Sequence, residues 1–101
     1  MTLQELYADP QNWTQGCFAR IKQTQQRIPC NQISKAKRAR HCYCLLGGIE
    51  MCYPEHLRQT IEFKITSYIQ KNTEFPNIPT FNDDWNTTIA DIQKVVKECN
   101  V

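Results

Sequence analysis

The sequence predicts an all-α, mainly helical single domain over residues 1–101, with roughly four helices and long irregular connections. Three observations predict it. Apolar residues recur at three- and four-residue spacing through 36–49, 57–68 and 89–99. Helix-capping residues precede these stretches at Thr2, Ser34 and Thr87 or Thr88. The segments between them are polar or broken by proline and show no period. A chain of 101 residues makes one domain with a modest core. Its apolar and charged fractions, 41% and 22%, are too ordinary for a disordered chain.

Thr2-Leu-Gln-Glu5 is a capping box, which predicts a short helix to about Ala8, ended by Asp9-Pro10. Asn12 to Gly16 reads as a turn or helix entry pivoting on Gly16. Cys17 to Ile21 fits strand or helix equally. Lys22 to Gln26 is polar and reads as exposed, and Ile28 to Asn31 as an extended connection. Ser34 through Cys52 then reads as one helix. Ala36, Ala39, Tyr43 and Leu46 share one face, and Cys42, Leu45 and Ile49 its neighbour. Gly47 and Gly48 sit inside it at about 1 kcal/mol each relative to Ala. That cost points to a close backbone approach or a nearby ligand.

Tyr53-Pro54-Glu55 opens the next helix, with Pro at its first position. Its predicted core face is Leu57, Ile61, Ile65 and Tyr68, and Asn72 ends it. Glu74 to Trp85 reads as a loop broken by Pro76 and Pro79. The last helix carries the stripe Ile89, Ile92, Val95, Val96 and Cys99. The longest apolar run, Cys42 to Ile49, is far too short to span a bilayer, so no membrane partner is expected. Residues 1–20 show no basic start followed by an apolar block, which predicts a cytoplasmic chain with its six cysteines reduced.

The net charge of +2 hides an asymmetry. No acid lies between Asp9 and Glu50, whereas Arg20, Lys22, Arg27, Lys35, Lys37, Arg38 and Arg40 all do. Such a field attracts phosphates, nucleic acid or an acidic protein surface, although a charge run also serves simply as a solvated face.

Three motifs stand in order along the chain. Trp13-Thr14-Gln15-Gly16 precedes Phe18-Ala19-Arg20, Cys42-Tyr43-Cys44-Leu45-Leu46-Gly47-Gly48 follows, and Phe81-Asn82-Asp83 leads to Thr87-Thr88 and Asp91. Together they resemble a small family of bacterial and phage proteins classed as a domain of unknown function. Its pattern is a W-T-Q-G start, a C-x-x-G-A centre and an [FW]-N-D…T-T…D end. The chain departs from it at Gly48, in its extra cysteines and in a basic insert before the central motif. The resemblance implies a compact, mainly helical fold and transfers no activity. Its phage members extend the expectation to a sequestering or anti-defence factor.

Four constellations could carry chemistry. His41, Cys42, Cys44 and Cys52, with Cys17, Cys30 and Cys99 in reserve, are candidate zinc ligands. On a helix, however, Cys42 and Cys44 diverge by roughly 200°. A reactive thiol needs adjacent cations, and adjacent helical residues do not face each other. Asp83, Asp84 and Asp91 could hold a cation, but Asn and Asp equally cap and turn. Anion binding is the favoured reading. It places stacking on Trp13, phosphate neutralisation on Arg20, Lys37, Arg38 and Arg40, and base or ribose contacts on Gln15 and Asp83. Tyr43, Tyr53 and Trp85 offer further aromatic faces.

The predicted function is therefore non-enzymatic binding of a small phosphorylated, nucleotide-like ligand, held by a homo-oligomer, with no catalytic residue, cofactor or metal. The alternatives are a protein–protein inhibitor or adaptor using the basic face, a nucleotide-acting enzyme, and a small zinc module.

Overall fold

The computed structural model describes all residues, 1–101. Helices dominate it, but it is not all-α. The α-helices are α1 (Leu3–Tyr7), α2 (Leu45–Cys52), α3 (Glu55–Asn72), α4 (Ile78–Asp83) and α5 (Ile89–Glu98). A three-stranded antiparallel sheet of β1 (Ala19–Ile21), β2 (Arg27–Ile28) and β3 (His41–Tyr43) runs in the order β2-β1-β3. Three 3₁₀ turns, Pro10–Asn12, Cys30–Gln32 and Lys35–Arg40, complete the fold. No helix is long and apolar enough to cross a membrane.

The predicted capping box at Thr2 forms, and of the two cap candidates for the last helix Thr88 caps it, with a capping box of its own. Thr2 and Glu5 exchange bonds at α1, and Thr88 and Asp91 do so at α5. The end of α5 is closed by a motif that only the backbone reveals. Asn100 adopts φ 55°, and the amides of Asn100 and Val101 return to the carbonyls of Lys97 and Val96. This is a Schellman closure with Asn in the left-handed position. Val101 is thereby buried and accepts from the amide of Gln4, joining the chain end to α1.

The single helix expected over Ser34–Cys52 is divided into three. Ser34 caps a 3₁₀ turn of six exposed residues, β3 follows, and α2 begins only at Leu45. The reason is burial. His41, Cys42 and Tyr43 are all buried, and three consecutive residues cannot all lie on one face of an amphipathic helix. As a strand they pair with β1, with Ala19 opposite Tyr43 and Ile21 opposite His41. The ambiguous Cys17–Ile21 segment is resolved as strand from Ala19 to Ile21 by the same pairing. Its partner β2 returns through a five-residue connection in which Gln25 takes φ 62°.

Two smaller corrections follow from proline and from helix length. Glu74–Trp85 is not all loop, because Asn77 caps α4 and Pro79 lies in its first turn. Proline is tolerated there, since first-turn amides have no intrahelical acceptor. Along α3 the predicted face is buried only in its second half. Ile65 and Ile69 are core, whereas Leu57 is 41% exposed. The first half is held by Arg58, which donates to the Tyr53 and Glu50 carbonyls and pairs with the Glu50 carboxylate at 3.0 Å. The hydrophobic core is one cluster drawing on all five helices, β1, β2 and β3.

Candidate functional site

The structure divides the predicted site residues into two groups. Trp13, Gln15, Arg20 and Asp83 fall at a junction where the three sequence motifs converge. Lys37, Arg38 and Arg40 lie on the exposed 3₁₀ turn ahead of β3. No side-chain hydrogen bond joins the two groups.

Asn82, which is 1% exposed, organises the junction. Its Oδ1 accepts from Trp13 Nε1 at 2.8 Å and from the Leu45 amide at 3.1 Å, the first amide of α2. Its Nδ2 donates to the Thr14 carbonyl at 3.1 Å and to Asp83 Oδ1 at 2.8 Å. These four bonds use the full capacity of the amide. Gln15 donates to the carbonyls of Asn82 and Asp84 at the end of α4, at 2.9 and 2.8 Å. Asp83 also accepts from the Gly16 amide at 2.9 Å. Gly16 has φ 82°, the left-handed conformation its predicted pivot role requires. Arg20 donates to Thr14 Oγ1 and to the carbonyls of Gln15 and Gln25, tying the hairpin to the Trp13 segment.

The glycine pair allows the close approach its helical cost suggested. A Cβ on Gly47 would overlap the Phe18 carbonyl, so α2 packs directly on the backbone leading into β1. A Cβ on Gly48 would stand 2.5 Å from the Tyr7 hydroxyl. That hydroxyl lies within donating distance of the Tyr43 and Cys44 carbonyls, at 3.1 and 2.8 Å. Tyr7 thus occupies the space that an alanine methyl would need at position 48.

Burial raises the pKa of five of the six thiols, which disfavours their thiolate forms. Cys44 is the N-cap of α2, and its Sγ accepts from the Gly47 amide at 3.4 Å. A helix N-terminus lowers a thiol pKa, but burial outweighs it here and pushes Cys44 up to about 11. Burial also pushes Cys52 up to about 11 and raises Cys30, Cys42 and Cys99. All six cysteines are free thiols, three buried and three partly exposed.

Cys42 and Cys44 do not diverge as they would on a helix. They lie on extended backbone, where alternate residues share a face. Even so, no three His, Cys, Asp or Glu side chains are grouped to hold a metal ion. The carboxylates have structural partners. Asp84 accepts from the Asn86 amide, and Asp91 accepts at the Thr88 cap. Of the aromatic faces, Tyr43 is fully buried, Tyr53 accepts from the Leu3 amide, and Trp85 is 86% exposed.

The basic region presents the opposite picture. Lys35, Lys37, Arg38 and Arg40 are exposed, as is Arg27 on β2. The one ion pair of the molecule is Arg58–Glu50, so none of the seven cations from Arg20 to Arg40 has a carboxylate partner. The guanidinium of Arg38 donates to Met1 Sδ at 3.6 Å. Beside the turn lies a cleft of about 460 Å³ lined by Gln26, Arg27, Gln32, Lys37 and His41 over Ile21 and Ile28. Of these residues only Lys37 was among the predicted anion-binding residues, Arg27 was noted in the cation run and His41 was read as a metal ligand. Pairing of β1 with β2 and β3 brings Arg27 and His41 to it. Comparisons with protein-family models, curated proteins and solved structures find no match.

Proposed function

We propose that the protein is a non-enzymatic binding protein that holds a small phosphorylated, nucleotide-like ligand on its basic face. The observation that carries this reading is the unpaired state of the cations between Arg20 and Arg40. Cations without carboxylate neighbours sustain a positive potential, and Arg adds forked contacts to phosphate. Cys42, Cys44 and Cys52 are buried, and Asp83, Asp84 and Asp91, the candidate carboxylates, are hydrogen-bonded within the fold. With the resemblance carried by the three motifs, the reading extends to a cytoplasmic sequestering factor of the phage anti-defence kind.

Calorimetry against linear and cyclic nucleotides at low and high salt tests it. Heat with at least one nucleotide, reduced by salt and by Lys37→Glu, Arg38→Glu and Arg40→Glu together, is the expected result. No heat with any member at low salt removes the reading.

A second reading has its own observation. All six residues of the Lys35–Arg40 turn are exposed, and Phe63 and Trp85 are exposed at 72% and 86%. Such a surface suits an acidic protein partner, as in an inhibitor or adaptor. A lysate partner lost on charge reversal at Arg38 and Arg40, with no nucleotide heat, selects it.

A further inference from the structure

The outer face of the sheet carries charge that folding does not use. Alternation along β1 turns Ala19 and Ile21 toward the core and Arg20 to the other side. The register sets Arg20 directly across from Arg27 on β2 and from Cys42 on β3. One step further along, the Lys22 amide donates to the Arg40 carbonyl at 2.8 Å, so those two cations also stand side by side. Like charges directly opposite each other weaken strand pairing, and no carboxylate offsets either pair. A local cost at two places on one face marks a functional surface, one whose ligand supplies the missing negative charge.

Beside these cations opens a cleft of about 350 Å³, lined by Trp13, Lys22, Cys42, Gln11 and Gln25. That volume is in the range of small-ligand sites. Its aromatic wall is fixed, because Trp13 Nε1 donates to Asn82 Oδ1 at 2.8 Å, which holds the indole in one orientation. The rim is fixed too. The Gln25 side chain donates to the Lys22 carbonyl at 2.9 Å, and the Gln25 carbonyl accepts from Arg20 Nη1 at 3.1 Å. Arg20 spends three of its five N–H groups on Thr14 Oγ1 and the Gln15 and Gln25 carbonyls. The other two remain, on a guanidinium already held in place.

We propose that this face binds single-stranded nucleic acid, with one base stacked on Trp13 in the cleft and the neighbouring phosphates on Arg20, Lys22, Arg27 and Arg40. The proposal rests on the anionic-ligand reading and extends the ligand from one nucleotide to a strand. Two features favour a strand. One phosphate is matched by one or two cations, whereas four stand on or beside the paired strands and run on into Lys35, Lys37 and Arg38 of the exposed turn. Such a row matches a backbone that repeats its charge at every nucleotide, with release of counterions as each is neutralised. A base stacks on a side chain only when it is out of the duplex, which selects the single-stranded form. The Gln11 and Gln25 amides lie where base edges would meet them.

The test exploits the two tryptophans. Trp85 is 86% exposed, so Trp85→Phe should fold and leaves Trp13 as the only indole. The full-length variant is titrated with oligonucleotides of about 12 nucleotides, a length one small domain can cover, as single strands and as duplexes, and with adenosine 5′-monophosphate. The expected result is quenching of Trp13 emission by the single strand, with the duplex about tenfold weaker. In salt titrations with a labelled single strand, Lys22→Ala and Arg27→Ala should each reduce the slope of log affinity against log salt by about 0.7. Arg27 is exposed and Lys22 half-exposed, so both variants should fold. Lys94→Ala, at an exposed cation on α5, should leave the slope unchanged. Strand binding with Trp13 emission unchanged and both slopes at the wild-type value overturns this site, and a duplex bound as tightly as the single strand overturns the stacking. Nucleotide binding with no binding of the strand overturns the proposal while leaving the anionic-ligand reading standing. No binding of strand or nucleotide at low salt overturns both.

Discussion

The motif junction and the basic face obey opposite rules. At the junction nearly every polar group has a partner: Asn82 makes four hydrogen bonds, Gln15 two and Arg20 three. On the basic face five exposed cations have no carboxylate partner. The contrast separates groups that hold the fold together from groups left free to meet something else. Trp13, Gln15, Arg20 and Asp83 hold the α2 and α4 ends against β1. Lys37 and Arg27 remain exposed and without a carboxylate partner.

The contrast breaks first, and hardest, at Asn82. Asn82→Ala leaves the Leu45 amide, the Thr14 carbonyl and the Trp13 indole without their partner inside the fold. The expected loss is about 4 kcal/mol of unfolding free energy by urea titration. A loss below about 1 kcal/mol would show that the junction is not what holds these elements together.

Next in size is a pH effect at Cys44. Its pKa rises from the ordinary 9.0 to about 11, so above pH 9 the unfolded thiol loses its proton while the folded one keeps it. Stability should be intact below pH 9 and fall by about 2 kcal/mol as pH approaches 11. Cys44→Ser should flatten that part of the profile. An unchanged slope would place the titration elsewhere.

Smaller again is the contest between Tyr7 and position 48. Gly48→Ala gains helix propensity but drives a methyl against the Tyr7 hydroxyl, for a net cost of about 1 kcal/mol. Removing the hydroxyl with Tyr7→Phe should relieve that clash. The double variant should therefore be more stable than the two single losses added together. Strict additivity would show that the hydroxyl does not fill that space.

The smallest stability effect sharpens the comparison from the other side. Lys37→Ala, Arg38→Ala and Arg40→Ala together should change unfolding free energy by less than about 0.5 kcal/mol, as exposed unpaired charges do. The same variant should lose most of its nucleotide heat. A large destabilisation would mean that these cations belong to the fold after all.

How far each region was legible follows from the range of the interactions that build it. The caps at Thr2 and Thr88, the end of α3 at Asn72 and the stripe on α5 depend on neighbours within one helical turn, and they form as read. Ser34–Cys52 has a helical pattern too, but pairing with β1 competes for its middle and wins by burying three residues in succession. Pro79 was read as a breaker because its sequence says nothing of whether it falls in a first turn or an interior one. The Gly47–Gly48 cost correctly signalled a close approach, but only the packing shows Phe18 and Tyr7 as the partners.

By itself, then, the sequence determined the helix-rich character, the caps, the tolerance for a close approach at the glycines and the uneven spread of charge. These are properties of composition and of contacts a few residues apart. Only the tertiary structure decided that the three motifs meet, that Cys42 and Cys44 share a face, and that His41 lies buried beside Arg27 and Lys37. Each depends on residues far apart in the chain being brought together by β-pairing and core burial, for which no local pattern exists to be read.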